Sequence, residues 1–196
     1  MIYMFLAPGF EEVEALAPLD LLRRAGLAVT TVAVTAPDTE HAVQGSHGIT
    51  VLADMSTAAF RRYVLAGESD APIEAAETIE AVILPGGMPG TTNLDASPEV
   101  DAALALAHGQ GAYLCAICAA PLVLGKRGYL AGKRATCYPG FEDCLTGAEV
   151  GGKVIRDGRV ITAAGMGVAQ EFGLELVSAL VSPEKAAAIR AAIQAL

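Results

Sequence analysis

The feature that most constrains this chain is a regular alternation of short apolar runs with helical patterns. Runs at residues 2–6, 28–36, 81–84 and 112–117 are separated by stretches of helical periodicity, among them 13–25, 97–108 and 119–126. Short, nearly continuous apolar runs read as strands buried on both faces, and the helices between them are the crossovers that parallel strands require. The predicted fold is α/β, a doubly wound and mostly parallel sheet with helices on both faces. A hydrophobic content of 53% with 21 glycines in 196 residues fits a compact chain of this kind rather than a disordered one. The length suits one domain over residues 1–196, able to bury about 70% of its unfolded surface without disulfides.

The first helix closes with Arg23, Arg24 and Gly26, basic residues in the last turn followed by a residue that accepts left-handed geometry. Pro18 lies inside it and is expected to kink it. Residues 43–44 and 49–52 form a small hairpin around Gly45-Ser-His-Gly48. A short helix is expected at 58–66, and the stretch 67–80 reads as a flexible surface loop. Asp157-Gly158 is a hairpin turn signal between 153–156 and 159–163. Helices at 168–180 and 183–195 complete the pattern.

A formal net charge of −9 argues against nucleic acid as a partner, because phosphate backbones are bound by clustered Lys and Arg. The pairs Arg23-Arg24 and Arg61-Arg62 are too small to reverse this. The chain enters its first apolar run without the basic flank and cleavage site of a signal peptide, and no run reaches the roughly 18 residues of a membrane span. A cytoplasmic location with no membrane association is expected, with Cys115, Cys118, Cys137 and Cys144 as thiols.

Cys118 stands where the strand at 112–117 breaks into a helix carrying Pro121 in its first turn. Unpaired amides and the positive end of that helix would favour a thiolate, the nucleophilic and oxidisable form. The alternative is a small hydrophobe in the core. In open sheets of this kind ligands bind beyond the carboxyl ends of strands, where strand order reverses. Ala7-Pro-Gly-Phe-Glu11, Pro85-Gly86-Gly87-Met88 and Cys118 all fall at such ends.

Glu11, Glu12 and Glu14 open the first helix, where carboxylates complement the dipole, and that role accounts for Glu12. Glu14 precedes the apolar Ala15-Leu16-Ala17 and should point inward. Two buried acids beside one another share a proton, so the Glu14 pKa should rise, the Cys118 pKa fall, and a protonated Glu14 donate to the sulfur. The turn at 84–90 offers backbone N–H groups unobstructed by side chains. Gly87 and Ala119 together could stabilise charge developing on a carbonyl oxygen attacked by Cys118. Phosphate binding is the rival reading of that turn, but no Gly-Lys-Ser/Thr follows it.

Glu11-Glu-Val-Glu14, Leu84-Pro-Gly-Gly87 and Ala116-Ile-Cys-Ala-Ala-Pro121, in this order and spacing, resemble the ThiJ/PfpI superfamily. The similarity is strongest to the branch of the parkinsonism-associated DJ-one protein and bacterial YajL, over nearly the whole length. Gly165-Met-Gly-Val168 corresponds to a Gly-Pro-Gly-Thr-like turn there, from which Met166 and Val168 depart. The resemblance implies a flavodoxin-like, class I glutamine amidotransferase-like fold and a homodimer. It also implies a reactive Cys118 on a strained elbow, a protonated Glu14 against it, oxidation to sulfinic acid, and Gly86, Gly87, Ala119, Glu11 and Tyr138 around the pocket. Asp20 and Arg24 are the implied interface ion pairs. Members are reported as oxidative-stress protectors, cofactor-free glyoxalases, protein deglycases or chaperones.

Ala119 stands where peptidase and amidotransferase branches place His, which argues against a Cys-His hydrolase. Tyr138 stands where the DJ-one branch often has His, leaving Glu14 or water to move protons. Cys115 and Cys118 make a C-x-x-C only on paper, since a strand turns them to opposite faces; Cys115 reads as core, Cys144 as structural, and Cys137 as core or a resolving thiol. His41, His47 and His108 read as surface or capping residues, with no ligand set for a metal. The expected function is a cysteine-dependent protein of oxidative and carbonyl stress, acting without a cofactor on small reactive carbonyl compounds such as 2-oxoaldehydes or on glycated proteins. A non-catalytic redox sensor or chaperone is the alternative, and a peptidase or amidase the third.

Overall fold

The computed structural model describes residues 1–35, 41–67 and 78–195. Among these, seven strands form one sheet. Strand β1 (Ile2–Leu6) pairs in parallel with β2 (Val29–Ala33), and β2 with β5 (Met55–Ser56). On its other side β1 pairs in parallel with β6 (Ala81–Leu84), followed by β7 (Tyr113–Ile117), β11 (Val160–Ala163) and β10 (Val154–Asp157). Only the β10–β11 edge pair is antiparallel. This is the mostly parallel α/β architecture expected from the alternation, and the flavodoxin-like fold that the family resemblance implies.

The central strands are buried on both faces, and their side chains sort by parity. Ile2, Met4, Leu6, Ala81, Ile83, Cys115 and Ile117 face one core, together with helices α1 (Glu12–Arg24), α6 (Ala169–Leu180) and α7 (Pro183–Ala192). Tyr3, Phe5, Val82, Leu84, Leu114 and Ala116 face the other, with α4 (Pro98–Gly109) and α5 (Pro121–Lys126). Each fully buried Leu, Ile or Phe contributes about 1.5–3 kcal/mol relative to exposure, so neither layer is separable from the sheet.

Strand order reverses beside β1. The chain leaves β1 to build β2 and β5 on one side, then returns to place β6 on the other. A crevice therefore opens outside the carboxyl ends of β1 and β6, the position at which doubly wound sheets bind ligands. The segment after β1, the glycine turn after β6 and Cys118 after β7 converge there.

Several boundaries moved. The hairpin at 43–52 forms as β3 (Ala42–Gln44) with β4 (Thr50–Leu52). In the last hairpin Asp157 pairs with Val160, so the turn residues are Gly158 and Arg159 rather than Asp157-Gly158. The expected helix at 58–66 is α2 (Thr57–Phe60) running into a wider π-helical turn, Arg61–Leu65. Helix α1 continues through Pro18. Most of the expected surface loop lies outside the described residues. The remaining elements are α3 (Gly90–Asp95) and the short parallel pair β8 (Arg134–Ala135) with β9 (Glu149–Val150). No helix among the described residues is long and apolar enough to cross a membrane.

The helix bearing Glu14 is positioned by close packing on α6. A methyl group added at Gly173 would lie 2.7 Å from Leu21 Cδ1 and 2.9 Å from Pro18 Cα. Gly173→Ala should therefore force α6 off α1 and cost about 1–3 kcal/mol, read as a lower urea midpoint. An unchanged midpoint would show that the contact does not set the spacing.

Candidate active site around Cys118

Cys118 is held in a left-handed backbone conformation, φ 64°, which costs a non-glycine residue on the order of 1–3 kcal/mol. Two backbone bonds hold it there. Its N–H donates to Ala163 O on β11 at 2.8 Å, and its carbonyl accepts from the Tyr138 N–H at 2.8 Å. The sheet thus supplies one clamp and the segment after β8 the other. A turn over residues 118–120 intervenes before α5, which starts at Pro121 and is six residues long. Cys118 is accordingly not the first residue of a helix. The N–H of Ala119 reaches the sulfur, as does that of Gly87.

Glu14 is 1% exposed. Its Oε2 accepts from the Gly86 N–H at 3.1 Å. Its Oε1 is buried and makes no close hydrogen bond, although the Met166 amide and the Cys118 thiol both interact with the carboxyl group. Gly86 makes this approach possible: a methyl group there would lie 2.6 Å from Cys118 Cβ and 2.6 Å from Glu14 Oε2. Gly87 is equally confined, with a φ of 88° and a missing side chain that would meet the Glu11 N at 2.5 Å. Both glycines are required by space as well as by their donors.

Burial, above all, raises the Glu14 carboxyl from 4.5 to about 7. The expectation of a rising Glu14 pKa is met; the expectation of a falling Cys118 pKa is not. Burial first, and then the like charge of an ionised Glu14, push the thiol up to about 12, and the Gly87 and Ala119 amides offset only part of this. Two reasons are local. The dipole invoked from the sequence belongs to a short helix that starts three residues further on, and the sulfur is only partly open to water. The pair carries a proton near neutrality, and Glu14 is the member that exchanges it.

Glu11 has a structural share in the pocket. Its Oε2 caps α1 by accepting from the Glu14 N–H at 2.7 Å, and its own N–H donates to Gly86 O at 2.9 Å. It therefore ties the glycine turn to the helix that carries Glu14. Glu12 has a different role from the dipole complement inferred from sequence. It is 3% exposed, its Oε1 accepts from the His47 N–H at 2.8 Å, and its Oε2 lies 3.0 Å from His47 Nδ1. Despite burial, the His47 ring and the backbone amides lower its carboxyl to about 2. The β3–β4 hairpin is thus pinned to the start of α1, and a side chain at Gly45 would collide with the Glu12 carboxylate. Glu11, Glu12 and His47 bring ligand atoms within 4.8 Å of one another. That grouping was not visible from a histidine read alone; a glycine beside Ser46-His47 was its only local signal.

Cys137 is 5% exposed and packs in the core opposite the one Cys118 touches. Cys115 is fully buried in the core, as expected. The Tyr138 ring lies against Gly165, and its side chain is half exposed. Asp20 and Arg24 pair with each other along α1 at 2.6 Å. His41 and His108 take no part in the site.

Residues 1–179 match the model of the DJ-1/PfpI family. The chain belongs to this family. It is 35% identical over 185 residues to Protein dj-1beta of Drosophila melanogaster, covering 93% of this chain and 90% of that protein. It is 32% identical over 180 residues to the glutathione-independent glyoxalase DJR-1.2 of Caenorhabditis elegans, covering 89% and 85%. Among solved structures, oxidized Toxoplasma gondii DJ-1 superposes with a TM-score of 0.85 at 33% identity, covering 98% of this chain and 97% of that one. The family match extends over the strand ends that carry Glu14, Gly86, Gly87 and Cys118.

A carboxyl whose folded pKa is raised favours folding fully below its unfolded pKa and loses that advantage as pH rises to the folded value. Glu14 should therefore withdraw about 3 kcal/mol of stability between pH 4.5 and about 7. Urea titrations of wild type and Glu14→Gln over that window should diverge by this amount, with the variant gaining relative to wild type. Parallel pH profiles would mean that Glu14 titrates as an ordinary surface acid.

Proposed function

We propose that this chain is a cysteine-dependent protein of carbonyl and oxidative stress, acting without a cofactor on 2-oxoaldehydes or their adducts on protein side chains. The observation that carries the reading is the buried Glu14 carboxyl, poised at about 7 against the Cys118 thiol with the Gly87 and Ala119 amides on the same sulfur. The DJR-1.2 relative, named a glutathione-independent glyoxalase, supports the same substrate class.

The chemistry follows from the raised thiol. Because Cys118 keeps its proton, the attack needs a base, and an ionised Glu14 is that base. Sulfur bonds to the aldehyde carbon as Glu14 takes the thiol proton, and the carbonyl oxygen gains negative charge beside the Gly87 and Ala119 amides. Glu14 returns the proton to that oxygen, giving a hemithioacetal. Transfer of the carbon-bound proton to the neighbouring carbonyl by way of an enediol oxidises the first carbon to a thioester and reduces the second to an alcohol. Water then releases the 2-hydroxy acid and restores the thiol. The sum is aldehyde plus water, with no external oxidant or reductant.

A second reading, redox sensing at the same thiol, draws support from the strained and partly open Cys118 and from amides able to bind sulfinate oxygens. The described surroundings of the sulfur do not favour a peptidase, since no histidine acts on it. Four free cysteines support a reducing, cytoplasmic setting. Val13, Ile49 and Leu52 leave apolar surface exposed on α1 and around β4, which supports a homodimer formed through the face of the first helix.

Purified protein should consume methylglyoxal, Cys118→Ala should abolish this, and Glu14→Gln should lower kcat/KM about a hundredfold or more. Because the base must be ionised, wild-type kcat/KM should rise with pH through about 7 and level off above it. A rate that is indifferent to both substitutions would exclude the enzyme reading. Peroxide that oxidises Cys118 first, without any turnover, would favour the sensor. Light scattering should return twice the chain mass, and a monomer that persists at high concentration would remove the dimer.

A further inference from the structure

Three large apolar side chains stand open to solvent on the segments that flank this site. Met88 is 51% exposed, Tyr138 51% and Met166 53%. Each is tied to the reacting pair by its own backbone or that of its neighbour. Met88 follows Gly87, whose N–H lies on the Cys118 sulfur. Tyr138 donates its N–H to the Cys118 carbonyl, and its ring lies against Gly165. The N–H of Met166, the next residue, lies on the Glu14 carboxyl. The three come from separate strand ends, after β6, β8 and β11, so no single helix or strand face requires them to be apolar.

Among the described residues, the charged side chains that act on the Glu14–Cys118 pair are acidic. Glu11 caps α1, Glu12 and Glu14 lie on its first turn, and the His47 ring is engaged by the Glu12 carboxylate. An anionic substrate would meet the Glu11 and Glu14 carboxyl groups, and among the described residues no guanidinium or ammonium group acts on the Cys118 sulfur. Two thioethers and a phenol ring instead offer polarisable contact that adapts to a flat or branched apolar group.

We infer that Met88, Tyr138 and Met166 form a specificity collar which selects uncharged 2-oxoaldehydes bearing an aryl or bulky alkyl group over small and over anionic ones. This rests on the carbonyl chemistry proposed above and adds to it the substituent that the site prefers. The collar acts on the part of the substrate that does not react. Its contribution should appear in the ratio of kcat/KM values between substrates rather than in the bond-making step.

The test compares phenylglyoxal, methylglyoxal and 4-carboxyphenylglyoxal, an anionic 2-oxoaldehyde, on wild type and on a variant carrying Met88→Asn, Tyr138→Ser and Met166→Gln, with circular dichroism to verify folding. Taking the ratio between the two proteins cancels the intrinsic reactivity of each aldehyde. The phenylglyoxal-to-methylglyoxal ratio should fall about tenfold in the variant, and wild type should turn over 4-carboxyphenylglyoxal more slowly than phenylglyoxal. An unchanged ratio overturns the collar while leaving the carbonyl chemistry standing.

If wild type turns over none of the three, that chemistry fails, and a second measurement still decides the collar. Cys118 alkylation by N-phenylmaleimide, N-methylmaleimide and iodoacetate is followed by mass spectrometry, each rate divided by that of the same reagent with glutathione. Enrichment for the aryl reagent in wild type that is lost in the variant supports the collar. Equal normalised rates for the three reagents overturn it.

Discussion

The site depends on one close approach: the Glu14 carboxyl and the Cys118 side chain meet across a residue that has no side chain of its own. A methyl group at Gly86 would stand 2.6 Å from both partners. Bringing an acid into a nearly dry position beside sulfur raises its pKa, because burial penalises the charged form and little there compensates it. The same burial raises the thiol. What results is a protonated thiol in contact with a carboxyl group poised near neutrality, rather than a thiolate held in reserve. In the proposed chemistry the proton is therefore moved during the reaction instead of being lost beforehand.

That approach is enforced from several directions. Helix α1 sets the depth of Glu14 through its packing on α6 at Gly173. Glu11 caps the helix and holds the Gly86 carbonyl side of the turn. Cys118 is fixed at both of its backbone groups by Ala163 and Tyr138. The buried Glu12 adds a fourth restraint by anchoring the β3–β4 hairpin to the start of α1. Glu11, Glu12 and Glu14, three acids within four residues, thus perform three separate tasks: a cap, a clamp and a buried carboxyl set against the Cys118 thiol. Their directions around the helix, and what packs against each, separate them.

Much of this was legible beforehand for physical reasons. Parallel strands buried on both faces leave apolar runs such as Ile2–Leu6 and Ala81–Leu84 that no surface element imitates, so the α/β class could be read directly. Glu14 was marked by the apolar residues that follow it, and Gly86, Gly87 and Cys118 by their places at strand ends. Glu12 was misread because charge at a helix start has an ordinary surface explanation, and its true partners lie some 35 residues away on a hairpin. Cys137 was ambiguous because sequence does not say which side of the sheet a residue after β8 will join.

The sequence by itself determined the alternation of strands and helices, the family, and the identities of the residues that meet at Cys118, because each of these rests on local pattern or on short motifs. The tertiary structure alone decided the charge state of the pair, the clamp on Glu12 and the exposure of Met88, Tyr138 and Met166. Desolvation and the spacing of groups from different strands set those properties, and neither quantity exists until distant segments have packed.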